Sequence, residues 1–123
     1  MKTSEKEFDR IVKRAIRRIP KEIGQHLNNL VISVRKRPSK EIVREMELEP
    51  GELLGIFQGV PLTERSITSP PLFPDAIVLF QEPLEEMCRN ADELEEQIEI
   101  TVVHEIAHFV GMEEERLKEL GYA

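Results

Sequence analysis

The 123-residue chain has a single cysteine, Cys88, and no apolar run approaching the roughly 20 residues that cross a bilayer. One cysteine excludes an internal disulfide and any CxxC zinc or redox motif. A metal ion would therefore have to be held by histidine and carboxylate, and the histidines are only three: His26, His104 and His108. Residues 1–7 have no apolar signal core. The expectation is a cytoplasmic protein with no membrane partner. Internal repeats and low-complexity tracts are also missing, which excludes solenoid and fibrous architectures. Cys88 itself reads as a small buried apolar residue.

What is present is 40% hydrophobic and 33% charged residues, the composition of a globular protein rather than a disordered one. The length suits one domain covering 1–123, because each of two would be too small to bury an adequate core. The net charge of −7 is unevenly spread. Residues 1–45 carry 13 Lys and Arg against 6 Asp and Glu, and the remainder carries 4 against 18. A basic first third can be a nucleic-acid footprint, or it can dock on the acidic remainder of the same domain or on a second subunit.

Hydrophobic spacing predicts a helix over 4–19, with Phe8, Ile11, Val12, Ala15, Ile16 and Ile19 on one face and Ser4 with Glu7 as a capping box. Pro20 stops it or opens another short helix. Residues 30–34 have the β-branched content of a strand, and a second helix follows over about 39–47. Between Pro50 and Pro83 lie six of the eight prolines, leaving room only for short strands, at 53–57 and 77–81. A last long helix is predicted from an Asn90 cap, with Glu93 at capping-box spacing, to about Val110. Its second half carries apolar residues on more than one face, so polar groups there need strong partners.

Those polar groups are His104, Glu105 and His108, in the sequence His104-Glu105-Ile106-Ala107-His108. Four residues advance about 400° on a helix, so the two imidazoles stack on one face a turn apart and can aim at one ion. Zn²⁺ accepts such ligands with tetrahedral geometry. Glu105 is rotated by about 100°, poorly placed as the next ligand but able to act as general base on a water at the metal. A catalytic zinc site takes three protein ligands and keeps one position open. Gly111, just past the helix, favours a left-handed turn that would bring the acidic run 113–115 back toward the metal. Glu114 is the expected third ligand, with Glu113 and Glu115 as neighbours that could serve instead. The same run also reads as a solvated acidic first turn of a last helix. His26, in a separate segment beside Asn28 and Asn29, reads as a surface or hydrogen-bonded residue.

The stretch from His104 through Gly111 to Glu114, with Gly59-Val60-Pro61-Leu62-Thr63-Glu64-Arg65-Ser66 and the ending Glu119-Leu120-Gly121-Tyr122, resembles the minimal zincin-like metallopeptidases, or minigluzincins. The resemblance spans roughly residues 8–122. It implies an α+β class with a minimal zincin-like fold, a short mixed β-sheet packed on two main helices, the active-site helix lying near residues 91–110. It implies one Zn²⁺ on His104, His108 and Glu114, with Glu105 as base. It further implies an edge strand above the metal that pairs with an extended peptide or protein substrate. That strand is expected at 77–81, making Ile77, Val78, Leu79 and Phe80 substrate-binding residues together with Arg65. Relatives with aspartate at the third-ligand position have a side chain one methylene shorter than Glu114. Larger zincins add a second subdomain that completes the cleft, and only 9 residues follow Glu114. Tyr122 and Arg65 are considered as oxyanion donors, and read more simply as end packing and a surface ion pair.

Three readings follow. The first is a zinc metallopeptidase. The second is a zincin-like interaction module that binds metal without efficient catalysis. The third is a nucleic-acid accessory protein working through its basic first helix.

Overall fold

The computed structural model describes residues 1–49, 51–59 and 75–122. Helix α1 (Glu5–Arg17) begins where the Ser4 side chain accepts from the Glu7 N–H, and Phe8, Ile11, Val12 and Ala15 are its buried face. Pro20 caps a second short helix, α2 (Lys21–Gly24), which passes through a 3₁₀ turn (Gln25–Asn29) into strand β1 (Leu30–Arg35). Proline suits that cap because it has no N–H to leave unpaired. Helix α3 (Lys40–Glu45) starts on a Ser39 cap. Strands β2 (Gly55–Gln58) and β3 (Asp75–Phe80) follow. Helix α4 (Gln81–Glu86) leads into the long α5 (Ala91–Val110), and α6 (Glu114–Glu119) closes the order.

The three strands form one mixed sheet in the order β1-β3-β2. β1 runs parallel to β3 with Ile32 opposite Ile77, and β2 runs antiparallel to it with Phe57 opposite Ile77. The fold is thus the expected short mixed sheet with two main helices, α1 and α5, which pack on each other. One expectation is corrected. The 77–81 segment is not an edge strand: β3 is central and paired on both sides, and among the described residues the edges are β1 and β2.

The pleat explains why Ile77, Val78, Leu79 and Phe80 cannot serve as a peptide-binding edge. Successive side chains on a strand point to opposite faces. Ile77 and Leu79 enter the main core with Phe8, Ile11, Leu94, Ile98, Val102 and Ile106, whereas Val78 and Phe80 join Leu53 in a second cluster on the other face. All four are at most 2% exposed. Each such burial contributes about 1.5–3 kcal/mol.

The bounds of α5 come from its ends. Asn90 accepts from the Glu93 N–H at 2.9 Å. At the other end Gly111 takes φ 71°, the left-handed region, and the Met112 N–H reaches the Ala107 carbonyl at 2.9 Å. This Schellman-type turn requires a residue without a Cβ penalty at position 111. No helix among the described residues is long and apolar enough to cross a membrane.

Candidate metal centre

The site is built on the face of α5 that meets β2. Thr101, Glu105 and Phe109 recur every four residues and so form one stripe along the helix. At the first, a Cβ added to Gly55 would lie 2.8 Å from the Thr101 Cγ2 and 3.2 Å from the Val78 carbonyl. Glycine is what permits the strand to approach the helix so closely. At the last, the Phe109 ring meets the Phe57 ring, centroids 5.0 Å apart and tilted by 45°, an arrangement favoured by the ring quadrupoles. Between them the Phe57 backbone N–H lies close enough to the Glu105 carboxylate to favour its charged form.

Strand alternation accounts for that approach. The Phe80 N–H donates to the Leu54 carbonyl at 2.9 Å, so residues 54, 56 and 58 face β3. Residues 55 and 57 then direct their N–H and C=O groups to the open edge. Glu105 faces the one at Phe57. Partial burial pushes the Glu105 pKa up, opposed by the nearby His108, by the Phe57 N–H and by His104. Both imidazoles thus lie close enough to feel the carboxylate, as their spacing requires.

A cavity of about 240 Å³ opens beside this stripe, lined by residues that include Gly55, Gln97, Thr101, His104 and Glu105. A larger hollow of about 720 Å³ lies between α3 and α4, with Arg37, Val43, Arg44 and Glu82 among its walls. Size alone would favour the second, but it holds no imidazole, and the chemistry places the candidate site in the first.

The expected metal ligands are only partly brought together. His104 is half-buried and His108 exposed, one turn apart on α5. Their donor chemistry suits zinc, two neutral imidazole nitrogens beside a carboxylate. The third donor is not gathered with them: no three His, Cys, Asp or Glu side chains cluster as a metal-holding group among the described residues. Glu114 opens α6 as an exposed residue, flanked by exposed Glu113 and Glu115. His26 sits apart in the 3₁₀ turn. Arg65 lies outside the described residues. Cys88 is buried, its thiol pKa raised chiefly by that burial.

One group near the site, Glu99, is not singled out by the sequence. Glu99 is buried on α5, where its Oε2 accepts from the Tyr122 hydroxyl at 2.7 Å and its Oε1 lies 2.8 Å from the Arg18 Nε. Tyr122 therefore packs in the core, as its simpler reading expected, with its hydroxyl committed to Glu99 rather than free as an oxyanion donor. The signal was the matched spacing of Arg14 on α1 and Arg18 at its C-cap with Glu95 and Glu99 on α5. Arg14 and Arg18 lie 2.8 and 2.9 Å from Glu95, so the basic face of α1 docks in part on the acidic α5.

Among the described residues β2 is an edge of the small mixed sheet, and it lies against the helix that bears His-Glu-x-x-His. Residues 27–122 match the family model for zincin-like metallopeptidases, and the chain belongs to that family. The match takes in the whole sheet and α5 and leaves α1 outside. No curated protein matches the chain significantly. Zinc use and peptide substrates are general properties of the family.

Proposed function

We propose that the protein is a zinc-dependent metallopeptidase in which His104 and His108 hold the metal, Glu114 completes the ligand set, and Glu105 is the catalytic base. The observation that carries this reading is the placement of Glu105, between the two histidines in sequence and beside the backbone N–H of Phe57 on β2, an edge strand among the described residues. The exposed Glu114 makes no ion pair within the described structure, so its carboxylate is free to turn toward the imidazoles.

β2 takes the role expected of 77–81. Its outer edge, unpaired among the described residues, offers the N–H and C=O of Gly55 to an extended peptide, which would lie antiparallel or parallel to it by strand addition. The peptide's scissile carbonyl then falls over α5. A bound zinc ion supplies Lewis-acid polarisation of that carbonyl and makes water acidic near neutrality. The Glu105 carboxylate accepts the proton of the attacking water and returns it to the leaving amine. Phe57 holds the carboxylate in position while this happens.

Cleavage of a peptide library by the wild type and by Glu105→Gln tests the base. Loss of the base should lower the rate by about 10²–10⁴-fold with zinc content unchanged. Zinc held by a wild type that cuts nothing would instead favour the interaction module.

A further inference from the structure

We infer that the cavity beside Glu105 receives a substrate side chain next to the scissile bond, and that Glu52 and Gln97 make it select lysine or arginine there. The inference rests on the peptidase reading and names its substrate class. The cavity of about 240 Å³ runs from His104 and Glu105 toward the amino end of α5, between that helix and the segment that enters β2. Gln97, Thr101 and Glu105 stand four residues apart and share one stripe of the helix, and Ile100 and His104 share the next. A peptide added to the outer edge of β2 at Gly55 lies along this groove, and alternate side chains of an extended chain point to the same face. One residue beside the reacting carbonyl therefore turns its side chain into the cavity.

The walls suit a long apolar stem with a positive end. Leu54 and Ile100, both half-buried, supply the apolar part. Glu52 is exposed and Gln97 half-buried, and neither side chain has a hydrogen bond or ion pair among the described residues. Glu105 adds a second carboxylate, and no lysine or arginine lines the cavity. Lysine and arginine lay their methylenes on apolar surface and keep the charged head at a wet rim. That head would donate to the Glu52 carboxylate and the Gln97 amide oxygen. An acidic side chain would instead meet two like charges. Methionine would fill the stem but leave both polar groups unmatched. The larger hollow between α3 and α4 has the opposite bias on one wall, where Arg37, Lys40 and Arg44 stand.

The test uses blocked pentapeptides that differ only in a central lysine, methionine or glutamate, titrated into nitrogen-15-labelled wild type kept metal-free by a chelator so that no turnover competes. Lysine should bind about 2–5-fold more tightly than methionine, and glutamate most weakly, with amide shifts centred on Gln97, Ile100 and Thr101. The margin should shrink as salt rises. Glu52→Gln should erase most of it and Glu52→Lys should reverse the order of lysine and glutamate, with circular dichroism unchanged because Glu52 is exposed. Equal affinity for the three peptides, no binding of any, a lysine preference that survives Glu52→Lys, or shifts centred on the hollow between α3 and α4 would each overturn the proposal. Cleavage by the zinc-loaded wild type keeps the two readings apart. Cuts with no basic residue on either side of the broken bond leave a peptidase and remove the inference, whereas lysine-selective binding without any cuts sustains the pocket and removes the peptidase.

Discussion

Replacing Gly55 by alanine tests how β2 is seated on α5. The new Cβ would fall 2.8 Å from Thr101 Cγ2, 3.2 Å from the Val78 carbonyl and 3.4 Å from Leu79 Cδ2. The first distance is about 1 Å inside ordinary carbon contact, and the second neighbour is backbone in the central strand, which cannot turn aside. Overpacking of this kind costs about 1–3 kcal/mol. In a chain of this size that lowers Tm by roughly 3–6 °C for each kcal/mol. Relief should come from the helix side. Thr101→Ser removes Cγ2 while keeping the hydroxyl that donates to the Gln97 carbonyl at 2.8 Å. Thermal unfolding followed at 222 nm should place Gly55→Ala well below wild type, with the double variant recovering part of the loss. The Val78 contact prevents full recovery. Any shift of β2 also moves the Phe57 N–H from Glu105, so peptide cleavage should fall with the single variant and partly return with the double. An unchanged Tm in Gly55→Ala, or strict additivity of the two substitutions, would refute the close helix-strand contact.

Further outcomes follow from the core, the surface pairs and the metal. Ile98→Ala empties a fully buried position of α5 in the main core and should cost about 2–5 kcal/mol in denaturant unfolding. Glu95 and Glu22 have pKa values lowered first by hydrogen bonds from Arg18 and Arg116 respectively. A lowered folded-state pKa gives stability that is present above the ordinary carboxylate value of 4.5 and lost as pH falls through the folded value. Wild type should therefore lose stability between pH 5 and lower values more steeply than Glu95→Gln with Glu22→Gln, by equilibrium unfolding across that range. Chelation of zinc should abolish cleavage and leave most of the helical signal, since the core joining α1, α5 and the sheet is built from apolar side chains. Unfolding on chelation would show that the metal is structural instead.

Much of this was legible in the sequence for local reasons. Ser4 and Asn90 announce the starts of α1 and α5, and Gly111 announces the end of α5, because each satisfies backbone groups within one turn of itself. Helix α4 was not legible: Pro83 falls in a proline-rich stretch and reads as a break, yet it is the third residue of the helix, where no N–H partner is required. Strand order was not legible either. The pattern at 77–80 carries no alternation, and a continuous apolar run is the mark of a strand buried on both faces. That mark favours the centre of a sheet and could have argued against an edge. The pairing of Tyr122 with Glu99 and His104 depends on the chain turning back after α6 and could not be read from spacing.

The central claim is that His104 and His108 share one zinc ion. Its most direct measurement is the zinc content, by mass spectrometry of the purified and dialysed protein, of the wild type, His104→Ala and His108→Ala. One equivalent in the wild type and none in either variant is the predicted result. A wild type that cannot take up zinc, or variants that hold it as well as wild type, would contradict the account.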